Sequence, residues 1–568
     1  MDYTRRKLLM KKRIAFLFSL ISIVALTIPA LAAGGDVLVS NGSPNTPFPQ
    51  NKQNEPTIAI DPMNGNIMVA GSNDEIDLGA CAGSNCPFTS GVGVSGIYFS
   101  MDGGATWTQP TYTGWSARNG TPGVGPIGTL PWYYENGLVS DGDPVVAFGP
   151  RPGTNGRFSW SNGVRLYYSN LTSNFSATRQ LEAFKGFEAI AVSRTDNMAA
   201  AAANDKSAWM PPVVISKQSS ATFSDKETIW ADNAASSPYF GNVYVCNVAF
   251  RSVGGPPEPV VFLRSTDGGN SWTQQQISQA ANTNSGAGRS GGRQGCTVRT
   301  DSKGTIYLFW DGSYKKQSVQ WMARSYDGGV KFEKARPVAT ITEVGKFDPL
   351  NGENSFDGIA GARTNSFPIV DIANGAPSGA GATNRIVMIW SDGSRGLNKE
   401  EALVQTSTDG GNSWSKPVNA AEANDRPNFP AITISPDGQN VYVTYMAFLD
   451  PWRSETSSAR RMQGVVRQAA FSDLSSWTTL QRGAVGDARA SSANSLTSEF
   501  LGDYDAIAAN NSQAAAVWND VRNASVCPAV NAWRQSLANG TPTSKPAPAT
   551  DCPATFGNTD IFGGTYTP

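Results

Sequence analysis

Four short segments of this chain repeat one pattern, and that repetition constrains its fold more than any bulk property. They read Ser100-Met-Asp102-Gly-Gly-Ala-Thr-Trp107, Ser265-Thr-Asp267-Gly-Gly-Asn-Ser-Trp272, Ser325-Tyr-Asp327-Gly-Gly-Val-Lys-Phe332 and Ser407-Thr-Asp409-Gly-Gly-Asn-Ser-Trp414. Each follows an apolar stretch, such as residues 260–263. Asp-Gly is a hairpin signal because glycine takes positive φ freely and aspartate can accept bonds from turn amides. The closing Trp or Phe can then fold back and bury its ring between sheets. The four aspartates are therefore expected to be structural. A degenerate fifth copy runs from Ser472-Asp473 to Trp477.

A second pattern precedes these hairpins: a short strand, a turn ending in Gly, then an apolar strand. Residues 57–61 followed by 66–70 are one instance, and residues 431–434 followed by 441–445 are another. Such units start near Pro56, Pro144, Glu227, Cys296, Pro368, Pro430 and Asp505. They are about 60 to 80 residues long, a period that reads as propeller blades burying their faces against neighbours. The expected fold is all-β, a β-propeller of four-stranded antiparallel blades, six or seven in number, with seven units counted. No segment beyond the N-terminal one shows a convincing helical period. The expected organisation is a signal peptide over 1–32, a linker over 33–53 and a single propeller domain over 54–568, with long loops at 114–131, 281–292 and 541–553.

The chain contains no histidine. That removes Ser-His-Asp and Cys-His chemistry and His-ligated metals, leaving carboxylates, Tyr, Lys and Arg to do any catalysis. A net charge of -1 with 16% charged residues gives no electrostatic footprint for nucleic acid or anionic lipid. The basic start (Arg5, Arg6, Lys7, Lys11, Lys12, Arg13), an apolar run over 14–28 and Ala30-Leu31-Ala32 read as an export signal. All six cysteines follow it, as disulfides in an oxidising compartment would. Proximity suggests Cys81–Cys86 and Cys527–Cys552, leaving Cys246 with Cys296. No Cys-x-x-Cys occurs, no cofactor or metal is expected, and the exported chain is expected to be a monomer free of the membrane.

The Ser-x-Asp-Gly-Gly-x-x-Trp repeat resembles the Asp box of the sialidase superfamily, also called BNR-repeat proteins. The chain looks most like bacterial secreted members of the exo-alpha-sialidase type. Where that family carries an Arg-Ile-Pro motif, this sequence reads Asn54-Glu55-Pro56. In a propeller, residues just before the innermost strands converge at one rim. Aligned at that point, four units present Glu55, Asp143, Asp225 with Glu227, and Asp503 with Tyr504. The other three present Arg293, Arg363 and Arg426. The expectation is an acidic arc facing a basic arc. By the resemblance, the three arginines would clamp a substrate carboxylate. Tyr504 would be the nucleophile with Asp503 or Glu55 as its base, and Asp143 or Glu227 the proton donor. The implied function is a secreted glycoside hydrolase acting on an acidic-sugar glycan. The alternatives are a non-catalytic carbohydrate- or protein-binding scaffold and an enzyme of uronic-acid polymers. Trp132, Tyr133 and Tyr134 sit where they could stack on a sugar ring or anchor a loop.

Overall fold

The computed structural model describes residues 35–45, 47–175, 182–251, 258–278 and 294–568; the signal-peptide reading, Arg293 and the loop at 281–292 lie outside them. Seven small antiparallel sheets succeed one another along the chain. Their innermost strands are Gln53–Ile60, Val145–Pro152, Thr222–Ala231, Gln294–Thr300, Ile369–Ile372, Arg426–Ile434 and Ala506–Ala509. Each touches the next, and the seventh touches the first, so the sheets form a closed ring of seven blades. The strand starts read from the sequence coincide with these inner strands.

The ring closes through residues expected to be a linker. Val37–Leu38 pairs with Asp560–Tyr566 in register Val37 to Gly563, becoming the outermost strand of blade seven. The 33–53 boundary is therefore corrected. A blade whose last strand comes from the other chain end ties the ring shut.

The repeated hairpins behave as their chemistry dictates. Ser265 Oγ donates to Asp267 Oδ1 at 2.8 Å, the Gly269 amide donates back to Ser265 Oγ at 2.8 Å, and the Ser271 amide to Asp267 Oδ1 at 3.0 Å. Gly268 and Gly269 have φ of 73° and 85°, which a side chain would strain. The same bonds recur at Ser100, Ser325 and Ser407. Each hairpin also fastens its blade to the preceding one. Arg194, Arg264 and Arg324 donate to the carbonyls of Gly268, Gly328 and Gly410, while Phe332 and Trp414 set ring edges against Phe262 and Phe309. The fifth copy keeps its Asp473 turn and a Trp477 Nε1 bond to the Leu474 carbonyl.

One loop assignment changes, and so does the expectation of no helix beyond the N-terminus. Residues 114–131 contain most of a hairpin, Tyr112–Ser116 with Gly123–Ile127. The helix Pro528–Ala538 was missed: proline opens it, and Val530 and Trp533 bury one face. It packs with Phe48, Phe556 and both Cys81–Cys86 and Cys527–Cys552 in a satellite core. Cys246–Cys296 joins blades three and four. These disulfides fit an extracellular protein. Among the described residues, no helix is long and apolar enough to cross a membrane.

Candidate active site

The inner strands deliver their first residues to one end of the ring by a shared irregularity. Register slips between Asn54 and Thr57, Asp225 and Thr228, Gln294 and Thr297, and Asn428 and Ala431. Such bulges re-aim a side chain. The residue inside the slip has a left-handed backbone in those four blades, Glu55, Lys226, Gly295 and Phe429, and Asp143, just before the inner strand of blade two, shares it, with φ between 50° and 64°. With Phe367 and Tyr504 at the equivalent places, these seven residues ring the channel mouth. Non-glycine residues held in this conformation store strain, and such strain concentrates at functional sites. Below the mouth, the inner strands enclose about 210 Å³, with Lys226 and Tyr504 at its head. Arg299 stacks 4.6 Å from Trp230 and pairs with Asp371 at 3.3 Å on its wall.

The expected acidic residues do meet. Buried Glu55 accepts from Asn73 Nδ2 at 2.5 Å, and Asn73 Oδ1 accepts the Asp143 amide at 2.7 Å. One asparagine thus aligns acids from two blades. Glu55 and Asp143 are close enough for each carboxyl to shift the other. Burial, then Asp503, raises Glu55; burial, then Glu55, raises Asp143 well above the carboxylate range. Burial, then Asp143 and Asp503, pushes Asp225 up to about 7. Glu227 is raised well above its ordinary value by burial and then Asp143; its Oε1 accepts from Ser169 Oγ at 3.2 Å.

The sequence reading missed three groups here. Lys226 lies between two of the residues it singled out, and its Nζ sits 3.1 Å from the Tyr504 ring centroid. Asp141 and Glu188 form a second interacting carboxyl pair; burial lifts Asp141 to about 6, and burial with Asp141 raises Glu188 well above its ordinary value. Glu188 precedes a strand in blade two, so aligning strand starts of the inner ring alone could not find it.

Of the two arginines of the expected basic arc that are described, neither is free for a substrate. Arg426 is buried, with Nε and Nη2 on Glu400 at 2.8 and 3.0 Å and its other bonds on the Asp450 and Phe356 carbonyls. It is a structural ion pair, so its assignment as a clamp is corrected. Arg363 reaches the mouth but grips Asp503 through two bonds, Nε to Oδ1 at 3.1 Å and Nη2 to Oδ2. It also lies 3.9 Å from Glu353 and 5.0 Å from the Phe500 ring. Asp503 thereby has both oxygens engaged, which opposes its role as a base for Tyr504. The phenol itself is raised well above its ordinary value by burial, then by Asp143, Glu55 and Glu227. Those surroundings hold it protonated and oppose an activated nucleophile. The aromatic trio anchors a loop: Trp132 Nε1 donates to the Lys206 carbonyl at 3.0 Å, Tyr133 is buried, and Tyr134 stacks on Trp115.

No family model and no curated protein matches this chain. Among solved structures it is similar to Trypanosoma rangeli sialidase in complex with the inhibitor DANA, at 10% identity and TM-score 0.37 over 70% of this chain and 53% of that one. It thus spans about half the length of that sialidase. It is also similar to the alpha-L-arabinofuranosidase Arb93A from Fusarium graminearum with an iminosugar inhibitor (11%, TM-score 0.39, 74% and 92% covered). A third is the intramolecular trans-sialidase from Ruminococcus gnavus with oseltamivir carboxylate (11%, 0.39, 72% and 94%). These likenesses are too distant to transfer a residue role, and the architecture stands on its own strand pairing.

Proposed function

We propose that this protein is an exported glycoside hydrolase whose active site is the acidic mouth of the channel. The observation that carries this reading is the pairing of Glu55 and Asp143 from two blades through Asn73, with Asp143 half-buried at the surface of the site. A carboxyl beside solvent whose proton affinity is raised by burial and a neighbouring acid suits protonation of a glycosidic oxygen. Asp143 is the proton donor and Glu55 the neighbouring acid that raises its proton affinity. Asp225, near 7, exchanges protons readily at neutral pH and serves as the acid–base partner. Tyr504 contributes a neutral hydroxyl rather than a phenolate.

The acidic-sugar form of this reading would rest on Arg363, which must first leave Asp503 to hold a substrate carboxylate. The pre-formed Arg363–Asp503 pair favours a second reading, a non-catalytic glycan-binding propeller. Turnover of a panel of fluorogenic neutral, amino and acidic glycosides separates them. The hydrolase reading expects at least one to be cleaved, with Asp143→Asn lowering kcat about a hundredfold or more and Arg363→Ala affecting acidic glycosides alone. No turnover on any member, or an unchanged rate in Asp143→Asn, rejects it.

A further inference from the structure

Charge is unevenly divided at the mouth. Among the described residues, Glu55, Asp143, Asp225, Glu227, Asp503 and Glu353 face two cations, Lys226 and Arg363, and Arg363 is already bound to Asp503. A ring of carboxyls alone says little, because buried acids can simply keep their protons. Two independent observations add direction. Tyr504 Oη and Glu227 Oε2 are buried, on residues 8% and 1% exposed, and neither makes a hydrogen bond. Asp143, Glu55, Glu227 and Asp503 all lie near enough to the Tyr504 hydroxyl to raise its pKa, so the unbonded hydroxyl belongs to the same cluster. The chain's own primary ammonium, Lys226 Nζ, is held there against the Tyr504 ring face. The mouth therefore supplies what stabilises an ammonium outside water: an aromatic face and surrounding carboxylates.

We propose that the mouth selects a glycan bearing a free amine, an amino sugar in its protonated form, with the ammonium seated on Asp225 beside Asp143 and Asp503. This rests on the mouth being the glycan site. Asp143, Asp225 and Asp503 are half-buried and reachable, whereas Glu55, Glu227 and Tyr504 form the floor, where Tyr504 Oη and Glu227 Oε2 can bond sugar hydroxyls. An N-acetylated sugar offers no charge to this set, and a uronic or sialic carboxylate meets like charge. The arriving cation favours ionised carboxyls. Asp225, which faces Asp143, Asp503, Lys226, Glu188 and Glu227, therefore gives up a proton to buffer as the ligand binds.

Calorimetric titration near neutral pH with a glucosamine tetramer, its fully N-acetylated counterpart and a galacturonate tetramer tests this, run in two buffers of different ionisation heat. The glucosamine tetramer should bind at least about tenfold more tightly than either other ligand, with proton release. Asp225→Asn and Asp503→Asn should each weaken it about tenfold. The ranking is read on the unaltered protein, so a variant that fails to fold leaves the test intact. Equal affinities, preference for the anionic or acetylated ligand, no binding or no proton release each overturn the inference. Selective binding without cleavage upholds it while the hydrolase reading falls; cleavage of acetylated or anionic glycans without amine preference does the reverse.

Discussion

Replacing Asp225 with asparagine probes the electrostatics of the mouth in the stability of the whole ring. Burial and then the charges of Asp143 and Asp503 lift this carboxyl from 3.8 to about 7. An acid that holds its proton more tightly when folded destabilises the fold on ionising. That penalty is absent below about pH 4, where both states are protonated. It grows between about pH 4 and 7 and is complete above that. Each pH unit in the interval is worth ~1.4 kcal/mol, which sets a ceiling of about 4 kcal/mol. Asp225 is half-buried and Lys226 lies nearby, so solvent and counter-charge reduce the figure to about 2 kcal/mol. Asparagine keeps an acceptor for the Lys226 amide, which donates to Asp225 Oδ1 at 2.7 Å, so the bulge should survive. Asp225→Asn is thus expected to be about 2 kcal/mol more stable than the parent at about pH 8 and no more stable at about pH 4. Urea unfolding followed by circular dichroism at both pH values measures this. A gain of equal size at both, or a loss at the higher pH, would refute the reasoning. The variant should also lose amine affinity, so stability and binding are expected to move in opposite directions.

Arg426→Ala leaves Glu400 buried without its partner and should cost about 3–5 kcal/mol in urea unfolding. Arg363→Ala, at a half-exposed pair, should change stability by less than about 1 kcal/mol, and a comparable loss in both would contradict the division into structural and mouth arginines. Replacing Cys246 and Cys296 by alanine opens a loop of sequence separation 50. Loop entropy puts that loss at about 4 kcal/mol, read as a lower denaturant midpoint than the parent's under non-reducing conditions; an unchanged midpoint would show that the blade contact alone holds the two strands.

Much of the architecture was legible because its signals are local. The serine, aspartate and glycine of each hairpin bond within a few residues, so the pattern at 265–272 carries its own geometry. The inner strands were legible for a related reason: alternation and a turn define each one, and repetition confirms the period. Val37–Leu38 was not, because two residues in a Gly- and Pro-rich stretch become a strand only when Gly563 and Phe562 offer an edge. The helix Pro528–Ala538 had a signal, proline at its start and Val530, Trp533 and Leu537 at helical spacing, but too few turns to stand out from loop sequence.

The mouth divides the same way. Aligning strand starts was enough to gather Glu55, Asp143, Glu227, Asp503 and Tyr504, since a ring of equivalent strands must bring equivalent positions together. Whether a charge there is free depends on partners from elsewhere in the chain. Arg426 is neutralised by Glu400 from the preceding blade, and Arg363 by Asp503 across the ring, 140 residues away. Sequence by itself determined the blade units and the acidic residues of the rim, because those follow from short-range bonding and periodicity, while the choice of seven blades over six came from the closed ring. Tertiary structure alone decided which charges cancel and which carboxyls keep their protons, because burial and Coulomb interactions depend on distances between blades that no local pattern encodes.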